Sequence, residues 1–204
     1  MSGVITQNVL GSSGLIKAVE AGGGAWTLIS TVTSDGSDAT MSFTSGIDAT
    51  YPIYCFHFIN IHPETDNTNL SFQGSTDSGS SYGVNITSTR FYAFHRENDA
   101  TPEFSYDTSE DLAQSTNFQN VSAASGNDND QNLSGCLYLF NPSDSTFVKH
   151  FQIEANSIHG LDASLHALTG GYFNTTSAID AIQFKMSANE IQGGKIKLFG
   201  LKDS

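Results

Sequence analysis

The chain closes on IQGGKIKLFGLKDS, residues 191–204, and the reading of that stretch decides the fold. Ile196, Leu198 and Gly200 alternate with Lys195, Lys197, Phe199 and Leu201, the two-residue period of a strand. A terminal strand left unpaired is an exposed edge that invites aggregation, so this one is expected to pair inside a sheet and close the fold. Phe199 and Leu201 break the polar side of the alternation. That face wants cover from another element or another subunit.

Working back from the end, similar runs recur between polar turns. GKIKLFGL (194–201), AIQFKMS (181–187), SLHALTGGYF (164–173) and LSGCLYLFNP (133–142) all read as strands. STFVKHFQIEA (145–155) alternates, with Phe147, Lys149, Phe151 and Ile153 on one face. Towards the start, WTLISTV (26–32), DATMSF (38–43) and NLSFQGS (69–75) repeat the pattern, and IYCFHFINI (53–61) reads as a central strand buried on both faces. Short strands at regular spacing with Gly, Asp and Asn between them predict an antiparallel β-sandwich of jelly-roll type over residues 25–204.

The middle of the chain is ambiguous. VNITSTRFYAFHREND (84–99) fits a strand or a short helix, and TSEDLAQS (108–115) reads as one or two helical turns with Thr108 or Ser109 as N-cap. SAASGNDNDQN (122–132) is a long polar loop. Residues 1–24 stop at Gly22-Gly23-Gly24 and lack a strand period, yet carry Val4, Ile5, Val9, Leu10, Leu15 and Ile16. They are expected to form an extended N-terminal arm that docks on a partner.

Composition narrows the function. The chain has 204 residues, enough to bury roughly 70% of its unfolded surface without staples. Its 21 acidic and 8 basic side chains give a net charge of −13, which repels phosphate backbones and anionic lipid heads. No nucleic acid and no membrane partner is expected. Neither a secretory leader nor a membrane-length apolar run is present in the sequence, which suits a protein made in a cytoplasm. Cys55 and Cys136 lie in apolar runs and are expected as reduced, buried thiols.

No motif carries chemistry. The six histidines show no metal-binding spacing. Asp128, Asp130 and Asn132 start like a calcium loop, but Leu133 and Leu139 stand where its glycine and closing glutamate belong. No metal and no cofactor is expected. Glu64, Glu103, Glu110 and Glu154 are available for glycoside hydrolysis, but nothing pairs two of them. A nucleophile elbow is missing. Tyr82, Phe91, Tyr92, Phe94, Phe104 and Tyr106 crowd the middle region. They either fill the core under a long crossover, the favoured reading, or stack on sugars, with Tyr92, Phe94 and Tyr106 as candidate glycan contacts.

Residues 26–82, LYLFNPSDST (137–146) and AIDAIQFKMSANEIQGGKIKLFGL (178–201) resemble a family of virion structural proteins from marine and cyanobacterial tailed phages. Many members of that family open on a Trp-x-Leu-Ile strand, carry a Ser-Gly-Ile-Asp turn and a Thr-Asp-Asn-x-x-Leu strand, and close on Gly-x-Ile-x-Leu-Tyr/Phe-Gly-Leu. The resemblance implies a virion surface component, a capsid decoration or short fibre, that is not an enzyme. The implied partners are other virion proteins of the capsid or tail, in a homotrimer. A lectin-like module of a tail fibre, bound to a host-surface glycan, is the alternative. The motifs are structural and assign no functional residue.

Overall fold

The computed structural model describes residues 26–100 and 102–203. The expected arm, with Val4, Ile5, Val9, Leu10, Leu15 and Ile16, lies outside the described residues. Those residues form twelve strands and no helix: β1 (Trp26–Thr33), β2 (Met41–Phe43), β3 (Ile53–Pro63), β4 (Leu70–Ser75), β5 (Ile86–Arg96), β6 (Glu103–Tyr106), β7 (Gln119–Asn120), β8 (Leu133–Phe140), β9 (Lys149–His159), β10 (Ala163–Phe173), β11 (Ala181–Met186) and β12 (Ile191–Leu201). They build two antiparallel sheets, one ordered β1-β12-β3-β8-β9-β10-β5-β6 and one ordered β2-β11-β4-β7. The chain is the all-β sandwich that its sequence predicts.

The closing stretch does close the fold. β12 lies between β1 and β3, with Ile196 opposite Val32 and Phe58, and Leu198 opposite Ser30 and Phe56. Ile196 and Leu198 are fully buried. Its glycines have specific work. Gly194 has φ +99° and lies against the backbone of Asn60 and Ile61, so a side chain there would be strained twice over. Gly200 leaves room for the ring of Tyr51.

Between the sheets the core is aromatic. Phe184 of β11 meets Phe43, Phe56 and Phe58 edge-on at 6.2, 5.4 and 5.3 Å between ring centres. Phe72 of β4 meets Phe151 of β9 at 5.1 Å. Edge-to-face rings fill the space between sheets and add to the energy of burial.

One open reading is settled and three expectations change. Residues 84–99 contain strand β5, not a helix. TSEDLAQS is a turn, because its backbone donors are taken elsewhere: Leu112 N–H donates to Ser88 Oγ, Gln114 N–H to Thr87 Oγ1 and Ser115 N–H to the Ile86 carbonyl. Asp107 serves Ser109, so neither Thr108 nor Ser109 caps a helix. β9 begins only at Lys149, leaving Phe147 outside it at 70% exposure. Lys149 takes a buried position and turns its ammonium to the Phe147 carbonyl at 2.7 Å and the Thr175 carbonyl at 3.3 Å. β3 is interior to its sheet, but only one face is fully covered; His57 is exposed on the other.

Candidate functional site

Register fixes which side chains share a face. Directly opposed residues in an antiparallel pair point the same way. On the outer face of the large sheet, β1 presents Trp26 and Leu28 opposite Leu201 and Phe199 of β12, and Thr31 and Thr33 opposite Lys197 and Lys195. The face continues through Cys55 and His57 of β3, and Cys136, Tyr138 and Phe140 of β8. Trp26 leans on Tyr138 at 6.2 Å, and Tyr138 stacks on Phe140 at 6.5 Å. No outward position on these four strands carries a carboxylate.

The same face reaches the far edge through Phe91 of β5 and Phe104 and Tyr106 of β6. Phe104 is 75% exposed and Tyr106 50%. The aromatics of the middle region therefore do not fill the core as a group. Phe91, Phe104 and Tyr106 stand outward, while Tyr92 and Phe94, one step along β5, point inward.

That inward side forms a groove. The large sheet overhangs the small one at β10, β5 and β6, and residues 107–123 run beneath the overhang. The space holds about 360 Å³ between Tyr92, Phe94, Leu165 and His159 on one side and Asp107, Glu110 and Ala123 on the other, with Arg96 at its rim. Phe94 meets the His159 ring edge-on at 5.5 Å. His159 Nδ1 accepts from the Leu161 N–H at 3.1 Å, which leaves the proton of the neutral ring on Nε2. Burial and the nearby Arg96 charge hold His159 below the ordinary histidine range.

The groove's carboxylates already have partners. Tyr92 donates its hydroxyl to Glu103 at 2.8 Å, and this bond together with burial pushes the Tyr92 phenol up. Fully buried Arg90 holds Asp107 at 3.2 Å and lies 3.8 Å from Glu110, which also accepts from Asn69 and Asn120. Acids tied down in this way position the loop. Of the four glutamates singled out in the sequence, Glu103 and Glu110 flank the groove, Glu154 stands on the outer face beside His166, and Glu64 lies just past β3.

Thus the three candidate glycan contacts separate: Tyr92 and Phe94 share the groove, and Tyr106 belongs to the opposite face, where its hydroxyl donates to Asp111. Sequence reading missed Arg96, His159 and Asp107, which join the groove from β5, the end of β9 and the loop after β6. Gln131 ties the acidic loop down by donating to Asp162 at 3.0 Å. Among the described residues no cluster of three or more metal-ligating side chains is present. No protein-family model matches the chain, and no curated protein matches it.

Proposed function

We propose that the chain is a bacteriophage virion surface protein, a capsid decoration or short fibre component, that binds other virion proteins by shape and buried area and performs no reaction. The observation that carries this reading is the outer face of β1, β12, β3 and β8, where Trp26, Leu28, Phe199, Leu201, Tyr138 and Phe140 form an apolar end beside Lys195 and Lys197, with no carboxylate on a chain of net charge −13. An uncovered apolar patch of this kind marks a docking surface. The strands that form it hold the Trp-x-Leu-Ile and Gly-x-Ile-x-Leu-Phe-Gly-Leu motifs of the virion resemblance. Strand order supports the jelly-roll reading. β1, β2, β3 and β4 alternate between sheets, as do β7, β8, β11 and β12, leaving β5–β6 and β9–β10 as additions to one sheet.

The test is to probe gradient-purified particles with an antibody raised against the chain. Labelling at regular positions on the particle supports the reading. Protein abundant in the lysate but missing from intact particles overturns it.

A second reading has its own observation. The groove places two aromatic rings, Tyr92 and Phe94, beside Arg96, His159 and Glu103, a combination that suits a sugar ring and its hydroxyls. A glycan array with the intact chain and its Tyr92→Ala and Arg96→Gln variants tests this. Binding lost in both variants supports a lectin-like module; a blank array removes it.

A further inference from the structure

We infer that β1 is the edge through which two copies of this chain join, antiparallel about a two-fold axis, into one continuous sheet. Among the described residues the two sheets have four edge strands: β1 and β6 in the large one, β2 and β7 in the small one. β6, β2 and β7 have four, three and two residues. Short edges are a common means of keeping foreign strands off. β1 has eight residues, WTLISTVT, with no proline and no charge. Its β-branched and aromatic side chains favour pairing, and among the described residues it pairs with β12 alone.

A second copy is the occupant that this edge fits. A two-fold contact sets a patch against itself, so the patch must be self-complementary. In a chain with 21 acidic and 8 basic side chains, an eight-residue edge without charge meets that condition. The facing pattern meets it too. The bulge between Leu28 and Ser30 puts Trp26, Leu28, Thr31 and Thr33 on the outer face, and leaves Thr27, Ile29, Ser30 and Val32 inward. This order is symmetric about the midpoint between Ile29 and Ser30. An axis at that point sets Trp26 of each copy against Thr33 of the other, Leu28 against Thr31 and Ile29 against Ser30, each pair on one face. Bulge meets bulge, two residues against two, so the new ladder keeps its register. Pairing also covers Trp26 and Leu28, which are 42% and 50% exposed.

Sedimentation equilibrium of the full chain tests this, with the expected mass twice the 21.8 kDa of one chain. Leu28→Lys and Thr31→Glu should each weaken the dimer about tenfold, because two symmetry-related pairs change at once. The double variant should recover the original affinity, since the new charges then oppose each other across the axis. Both positions are exposed, so thermal melting of each variant serves as the control for folding. A single-chain mass at micromolar concentration overturns the proposal. So does a trimer, the state expected from the virion resemblance, or a dimer indifferent to both substitutions. If only a chain beginning at Trp26 dimerises, the edge is occupied from within the full chain, and the proposal fails as well. None of these outcomes depends on whether the protein is found on particles.

Discussion

The two ends of the large sheet are held down by different chemistry. Over the small sheet, β12, β3 and β8 turn inward Ile196, Leu198, Phe56, Phe58, Leu137 and Leu139, all buried in one core, where Phe56 meets Phe43 and Phe184 and Phe58 meets Phe184. Beyond it, β5 turns inward Ser88, Arg90, Tyr92 and Arg96, with Phe94 the one wholly apolar side chain among them. A facing sheet satisfies its own backbone and can offer a continuous apolar surface. A covering loop cannot, so the strand beneath it must supply partners for the loop's polar groups. Ser88 does this twice for Leu112, accepting its N–H on Oγ at 2.9 Å and donating its own N–H to the Leu112 carbonyl at 2.9 Å. Gln73 does the same for loops on the outside of the small sheet, its amide nitrogen sharing two hydrogens among the carbonyls of Val84, Thr116 and Asn117 at 3.0–3.1 Å.

The largest effect should come from the apolar end. Phe184→Ala removes a fully buried ring that touches Phe43, Phe56, Phe58 and Phe72. Denaturant unfolding should show a loss of about 3–5 kcal/mol. A loss near that of an exposed position would mean that the sheets are not joined by this cluster.

Next comes the polar end. Arg90→Ala leaves Asp107 and Glu110 without their cation, a change that costs roughly 3–5 kcal/mol when both partners stay buried. Here the carboxylates are 11% and 17% exposed and can rehydrate, so a loss at or below about 3 kcal/mol is expected. A double-mutant cycle with Asp107→Ala should be clearly non-additive. Additive losses would show that the guanidinium does not hold the loop, and would erase the contrast between the two ends.

Outward positions should barely register on stability. Leu28→Ser on the open face should change unfolding by no more than about 0.5 kcal/mol while weakening any partner that docks there. A loss comparable to Arg90→Ala that does not depend on protein concentration would mean that the open face is covered within the chain.

The same contrast explains what was legible in the sequence. β12, β8 and β4 were readable because strands packed on a second sheet obey a simple alternation, as Ile196 and Leu198 or Leu70 and Phe72 do. β5 was not, because its inward residues answer to a loop. Ser88, Arg90 and Tyr92 look like the polar side of a strand or a helix until the loop is in place. TSEDLAQS has helix-like composition, and only contacts with Thr87 and Ser88, more than twenty residues earlier, deny it a helix. The groove is half legible: Tyr92 and Phe94 stand out as aromatics, but Tyr106 looks the same in sequence because local crowding says nothing about which face a strand residue takes. Arg96, His159 and Asp107 gave no signal, since they meet only through pairing between β5 and β10 and between β10 and β9.

The smallest expected effect is on reactivity and leaves stability aside. Cys55 and Cys136 are free thiols on the outer face of neighbouring strands, offset by one pair: Cys55 opposes Tyr138, and Cys136 opposes His57. The Cys136 thiol beside it, together with burial, pushes Cys55 up, so it should stay a thiol at neutral pH. Cys136 moves the other way. The Cys55 thiol supports its charged form and lowers it to about 7, with burial opposing and Tyr138 helping. Because the thiolate is the nucleophile, iodoacetamide should label Cys136 first, at a rate that climbs through neutral pH, while Cys55 resists. Cys55→Ala removes the main cause of the lowering, so the Cys136 labelling profile should move to higher pH. Its rate at pH 7 should then fall by up to about tenfold for every pH unit that the profile moves. Peptide mapping after timed labelling reads both effects. Equal labelling of the two thiols would show that they do not share a proton across β3 and β8. An unchanged profile in the Cys55→Ala chain would assign the reactivity to Tyr138 or to exposure alone, and would make the open face less tightly packed at its centre than Trp26, Tyr138 and Phe199 imply.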